Sequence, residues 1–228
     1  TYLLFIKRLD ELHTLREKKA NRLKTPIEDP VFPDGKTKTG RSYQDLRWSR
    51  FKNFEAGEMY TVITEDVFPF MKALGGEDDT TFSVHMKDAR FTLPPEKAGL
   101  LAKVVEMIDN VPMEDRDTKG DLYEFLLAKL STSGQNGQFR TPRHIIKMMV
   151  EMTDPKPDDI ICDPACGTAG FLVAASEHIR RNHSEIFTDE ALRQHFNHEM
   201  FHGFDFDSTM LRIGSMNLLL HGIENPDI

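Results

Sequence analysis

The stretch DIICDPACGTAGFL, residues 159–172, decides how this chain folds. The short apolar run Asp159–Cys162 reads as a strand, a segment of small residues follows as a loop, and Ala169–Arg181 reads as a helix. Gly167 and Gly170 give the loop conformational latitude and remove side chains where a ligand must approach. A loop at the carboxyl end of a first strand is where open α/β sheets hold their ligands. The pattern is not G-x-G-x-x-G, and it lacks the Lys-Ser/Thr ending of a nucleotide-triphosphate loop. Asp163 puts a carboxylate where a cationic ligand group can sit. That suits a sulfonium amino acid such as S-adenosylmethionine better than a pyrophosphate. The bland alternative is a tight turn merely rich in small residues.

Working outward, Pro142–Thr153 reads as a helix before the strand. Beyond it come a helix near Asp189–Glu199, a strand at Met200–Phe204 and a helix at Ser208–His221 ended by Gly222. Strands alternating with helices imply a parallel sheet covered on both faces. Two strands do not complete such a sheet, so the chain is expected to stop partway through a domain. In HGFDFD, residues 202–207, Asp205 lies at the strand end and Asp207 looks like the N-cap of the next helix. An acidic residue ending a second strand can accept hydrogen bonds from both ribose hydroxyls. An Asp at a strand–helix junction is more often a cap, but after the first motif the ribose reading is preferred. In GQFRTPR, residues 137–143, Thr141 is a good N-cap and Pro142 a good first helical residue. The segment is either a simple helix start or a flap closing over the methionine end of a cofactor.

The N-terminal part is helical in pattern. Residues 1–24 place Leu4, Ile6, Leu9, Leu12 and Leu15 on one side, and Ala56–Leu74 repeats Met59, Ile63, Val67, Phe70 and Leu74 at helical intervals before Gly75 and Gly76. Pro94 and Pro95 open a third helix with Leu101, Val104, Val105 and Ile108 as its stripe, and Asp121–Leu130 is a fourth. Prolines and glycines between Thr25 and Asn53 mark a long loop. Its basic run of Lys36, Lys38, Arg41, Arg47, Arg50 and Lys52, with Tyr43 and Trp48, is either a solvated face or a surface touching DNA or a partner. The expectation is a helical domain at 1–131 and the first portion of an α/β domain at 132–228, joined by the small polar stretch Ser131–Gly137.

With 228 residues, 39% hydrophobic and 29% charged, no run approaches the roughly 18 apolar residues of a membrane span. The non-Met start suggests a trimmed front end. Two cysteines, Cys162 and Cys166, make no disulfide framework, so a cytoplasmic setting is expected. His195, His198 and His202 have helix-like spacing, but nothing ties them to those thiols, so buried thiols and surface histidines are expected and no metal site. A net charge of −8 makes a poor stand-alone DNA clamp, since phosphate neutralisation supplies most non-specific affinity.

The three segments together, with NLLLHGI at 217–223 behind them, resemble the N6-adenine DNA methyltransferase family. Specifically, they resemble the modification subunit of type I restriction–modification systems. The likeness is specific over about residues 130–228 and looser before that. It implies an all-helical N-terminal domain followed by the first part of a Rossmann-like, S-adenosylmethionine-dependent methyltransferase domain. It implies further that S-adenosylmethionine is surrounded by Gln138, Phe139, Arg140, Thr141, Pro142 and Arg143, by Asp163, Pro164, Ala165, Gly167, Thr168, Ala169 and Gly170, and by Asp205. The implied partners are DNA, a specificity subunit, a restriction subunit and a second modification subunit, with no membrane. In the family's reaction a flipped adenine accepts the methyl group directly on N6, so Cys166 has no nucleophilic task. The family's catalytic Asn-Pro-Pro-Phe/Tyr is absent, and Asn225-Pro226-Asp227 is read as a loop. No catalytic residue is therefore assigned, and the chain is expected to bind cofactor at most. The alternatives are a methyltransferase acting on RNA or protein and a non-catalytic assembly module; a nicotinamide enzyme fails on the missing glycine fingerprint.

Overall fold

A computed structural model describes residues 2–27, 30–74, 81–110, 141–223 and 225–228. The expected helix Asp121–Leu130, the stretch Ser131–Gly137, and Gln138, Phe139 and Arg140 lie outside the described residues. The chain divides into two compact units, one of residues 1–74 and 89–119, the other of residues 75–88 and 120–228.

In the first unit α1 (Tyr2–Leu23) buries Leu4, Phe5, Ile6 and Leu9. Leu15, expected on that face, is 47% exposed, while Lys7, Asp10 and His13 are buried in its stead. Each of these polar residues has partners. Lys7 Nζ donates to the carbonyls of Ile108 and Asp109 at the end of α6 (Ala98–Asp109), at 2.8 and 3.3 Å. A cation there satisfies carbonyls that have no partner within their own helix. Asp10 accepts from Arg47 Nε at 2.6 Å and from the Ser49 amide at 2.7 Å, capping the short helix α2 (Trp48–Phe51) from outside its own sequence.

The predicted helix at 56–74 forms as α3 (Ala56–Val62), a π-turn at Ile63–Val67 and α4 (Phe68–Ala73). The Phe68 amide reaches back five residues to the Ile63 carbonyl. Pro69, next in line, has no amide to give and its ring crowds the preceding turn, so the widened turn is where the helix absorbs it. The supposed long loop holds more order than its prolines suggest, with a 3-10 turn at Tyr43–Leu46 and buried Trp48 and Phe51.

The second unit contains α5 (Thr81–Lys87), α7 (Arg143–Thr153), β1 (Ile161–Asp163), α8 (Gly170–Asn182), α9 (Glu190–His198), β2 (Phe201–Gly203) and α10 (Ser208–Leu220). The sequence reading has no element at α5, which packs along α10: Arg212 Nε donates to the His85 carbonyl at 2.8 Å, and His85 Nε2 to that of Ile228 at 2.8 Å. β1 and β2 pair in parallel, Ile161 opposite Phe201 and Asp163 opposite Gly203. Beneath them lies one apolar cluster, including Leu172, Ile179, Phe196, Met200, Phe201, Leu218 and Ile223.

The expected loop at Asn225–Asp227 is corrected in part. Asp227 forms a parallel bridge with His202: the Gly203 amide donates to the Asp227 carbonyl at 2.8 Å and the Asp227 amide to that of Phe201 at 3.0 Å. Residue 227 thus runs beside β2 on the side away from β1.

Candidate cofactor-binding site

The loop between β1 and α8 is held from both strands. The Phe204 amide donates to the Asp163 carbonyl at 2.9 Å and the Cys166 amide to that of Phe204 at 2.8 Å, so the loop folds back across the end of β2. Gly203 leaves the space for it. A Cβ there would lie 3.0 Å from Cys166 Sγ and 2.8 Å from Ile228 Cγ2. Asp163 turns its carboxylate onto the Ala165 amide at 3.1 Å, a local turn that starts the loop.

Gly167 and Ala169 both adopt left-handed backbone, with φ of 52° and 62°. Glycine takes this conformation freely; alanine does so at a cost of about 1–2 kcal/mol. Ala169 is fully buried in the core, which fixes it there. Among the described residues a Cβ on Gly167 would meet nothing within 4 Å, so there the loop faces open space. The Gly167 amide donates to Asp205 Oδ2 at 2.9 Å, joining the glycine loop to the end of the second strand. Asp205 Oδ1 accepts from the Asp207 amide at 2.8 Å, and Asp207 caps α10 through the Thr209 amide, as its position implies. Each carboxylate oxygen has a second lone-pair site, so Asp205 can accept further donors.

Asp163, Gly167 and Asp205 therefore share one rim, with Thr168, Ala169 and Gly170 leading into α8. Pro164 and Ala165 are exposed at the crest. Burial, then the Asp163 and Asp205 carboxylates, push the Cys166 thiol up to about 11. It is a packed, protonated side chain and no nucleophile. Cys162 is exposed, against the expectation that both thiols are buried.

The segment before α7 departs from its expected geometry. Pro142, not Thr141, occupies the N-cap position, with ψ of 139°, and its carbonyl accepts the first helical amides. Thr141 is exposed one residue earlier. Arg143 lies 3.7 Å from Glu177 of α8. α7 packs on α8, with Ile146 Cδ1 at 3.4 Å from where a Cβ of Gly170 would sit.

Two residues at the loop escaped the sequence reading. Phe206, next to Asp205, is fully exposed. An aromatic held in water beside a strand-end carboxylate was the available signal. Asn217 is fully buried and its Nδ2 donates to the Thr168 carbonyl at 2.9 Å; a polar residue inside an apolar run was its signal. His195 and His202 have hydrogen-bond partners on both ring nitrogens, and the described residues contain no cluster of three or more side chains able to hold a metal ion. None of the described helices is long and apolar enough to cross a membrane.

The basic run resolves into two groups. Arg47 binds Asp10, Glu17 and Thr14, Lys52 binds Asp109, and Arg41 lies 3.3 Å from Glu58 and 3.4 Å from Asp66. Lys36, Lys38 and Arg50 remain exposed.

The fold and the loop define a class: an α/β unit whose glycine loop, after its first strand, is tied to an acidic residue at the end of the neighbouring strand. Residues 114–228 match the family described as N-6 DNA Methylase, and residues 1–108 match the HsdM N-terminal domain. The chain belongs to the N-6 DNA methylase family. It is 28% identical to the type I restriction enzyme EcoEI methylase subunit of Escherichia coli, over 99% of this chain and 44% of that protein. It is 32% identical to the EcoKI methylase subunit of Escherichia coli strain K12, over 65% of this chain and 30% of that protein. A modification subunit of a putative type I restriction enzyme from Vibrio vulnificus YJ016 matches in structure with a TM-score of 0.75 and 28% identity, over 100% of this chain and 49% of its own. The chain spans less than half the length of these relatives.

Proposed function

We propose that this chain is the cofactor-binding front portion of a type I restriction–modification methylase subunit that methylates adenine N6 in DNA. Its second unit is then the beginning of a Rossmann-like methyltransferase domain. The observation that carries the reading is the Gly167–Asp205 hydrogen bond. It brings the glycine loop and the strand-end carboxylate to one rim with open space beside Gly167.

S-adenosylmethionine fits the groups present. Asp205 accepts the ribose hydroxyls with its remaining lone pairs, Phe206 offers a ring face to the adenine, and Gly167 keeps the approach free of side chain. Asp163 places negative charge near the sulfonium end. Thr141, Pro142 and Arg143 lie toward the methionine portion, while Gln138, Phe139 and Arg140, assigned with them from the sequence, lie outside the described residues. Pro164, Ala165, Thr168 and Gly170 form the remaining wall, and Ala169, expected to line it, is fully buried and supports the loop from the core side instead. When bound, the cofactor supplies an electrophilic methyl group. The 228 residues contain no Asn-Pro-Pro-aromatic segment, so this chain's own task is binding and orientation, not contact with the adenine amino group. The −8 charge fits a subunit that takes DNA contacts from a specificity subunit, alongside a restriction subunit and a second copy of itself.

Calorimetry with S-adenosylmethionine, its demethylated product and NAD tests the reading. The first two bind and NAD does not. Asp205→Ala weakens binding by about 1–3 kcal/mol, the loss of charge-assisted hydrogen bonds. Equal affinity of wild type and variant, or preference for NAD, sinks it.

A further inference from the structure

Within NLLLHGI the buried Asn217 is the residue that packing alone does not explain. Its neighbours Met216 and Leu218 are core side chains, and a leucine at 217 would be the ordinary choice. Asn217 is fully buried, and its Oδ1 has no hydrogen-bond partner among the described residues. An unpaired buried oxygen is costly, and native interiors rarely keep one without a reason. The reason visible here is the opposite end of the amide, which donates to the Thr168 carbonyl at 2.9 Å. Thr168 sits between the two left-handed residues Gly167 and Ala169, in the middle of the glycine loop.

The same face of α10 carries a second feature. Gly214 precedes Asn217 by three residues, so the two stand one above the other on the helix. A Cβ at 214 would lie 3.2 Å from the Gly167 carbonyl oxygen and 3.5 Å from the Ala169 Cβ. α10 therefore offers the loop a gap at 214 and a donor at 217. The far end of α8 is held from the same motif: Arg180 donates to the Gly222 carbonyl at 2.7 Å, and His221 lies 3.7 Å from Glu177.

Resting on the S-adenosylmethionine reading above, we infer that Asn217 is a positioning residue: with Gly214 it fixes the backbone of Gly167–Ala169 in the shape that receives the cofactor. It touches no ligand itself. Exchanging Asn217 for leucine also removes its unpaired buried Oδ1, which offsets the loss of the bond to Thr168, so the change shows in loop position more than in global stability.

The test uses the full-length protein and three readouts: dissociation constant for S-adenosylmethionine, melting temperature, and deuterium exchange of the Gly167 amide, which reports the bond to Asp205. Asn217→Leu raises the dissociation constant about tenfold and exposes the Gly167 amide to exchange, with the melting temperature held. Gly214→Ala, which improves helix propensity, weakens binding in the same direction without lowering the melting temperature. Unchanged affinity in a folded Asn217→Leu or Gly214→Ala protein overturns the inference. So does a loss of affinity that merely follows a fall in melting temperature, because that marks an ordinary core residue. If Asn217→Leu does not fold, Gly214→Ala decides alone. Failure of the wild-type protein to bind S-adenosylmethionine overturns the proposed function instead. The exchange readout then still decides whether Asn217 holds the loop.

Discussion

The polar side chains of the N-terminal helices and those around the glycine loop are put to different uses. In the first unit, Asp10, Arg47, Glu17, Lys7 and Asp109 bind one another and the ends of neighbouring helices. Their hydrogen-bonding capacity goes into joining helices. In the second unit, Asp163, Asp205 and Asn217 hold backbone amides and carbonyls of one loop, which at Gly167 faces open space among the described residues. Closed networks make a scaffold; a network aimed at one loop, with open space beyond it, makes a site. The contrast predicts that substitutions in the first unit move stability and those around the loop move binding.

Arg47→Ala gives the largest effect. It removes two bonds to Glu17, one to Thr14 and the ion pair to the buried Asp10. Stripping one partner from a buried pair costs about 3 kcal/mol, because the remaining charge stays buried. Urea unfolding of the first unit should show that loss while cofactor affinity of the folded protein holds. A stable variant with weakened binding would erase the division between the units.

A smaller effect comes from His13. Burial first, then the positive charge of Arg47, lowers its pKa against opposing pulls from Glu17 and Asp10. The Phe32 amide donates to its Nδ1 at 3.4 Å, which requires that nitrogen to be unprotonated. With the folded pKa depressed, the unfolded chain binds the proton first. Stability is therefore full above the ordinary histidine value of about 6.5 and is lost as pH falls from there to the folded value. Glu17, held low by its hydrogen bond to Arg47, adds a second loss at more acid pH. His13→Gln keeps an acceptor for Phe32 and removes the first slope in a pH series of melts. An unaltered pH profile would mean that another group titrates there.

The parts of the fold set by local chemistry were legible. The Asp207 cap and the stop at Gly222 stand where residue types alone place them, and the helix expected at Ala169–Arg181 forms one residue later, at Gly170–Asn182. What could not be read were long-range satisfactions. Lys7, Asp10 and His13 look like the solvated side of α1 until Arg47, Phe32 and the end of α6 arrive from 19 to 102 residues away. The basic run looked like a surface for the same reason, since acidic partners for half of it come from other segments. At the site, Gly167 and Asp205 were legible as loop and strand end, and their direct bond agrees with placing them together. The pairing of Asp227 with β2 was not legible, because a single bridge leaves no alternating pattern.

The smallest effect on stability, and the sharpest on the contrast, belongs to Phe206. Its side chain is fully exposed, so removing it deletes no packing, and Phe206→Ala should leave the unfolding free energy within about 0.5 kcal/mol of wild type. If the ring faces a bound adenine, stacking contributes about 1 kcal/mol, and the dissociation constant for S-adenosylmethionine rises about fivefold. A ring that stabilises nothing in the free protein but strengthens binding is the mirror image of Arg47. Melts and calorimetry on the two variants give opposite patterns if the units divide their work as described. Should Phe206→Ala bind as well as wild type, the cofactor's adenine does not lie beside Asp205, and the ribose contact must be drawn from another side of the loop.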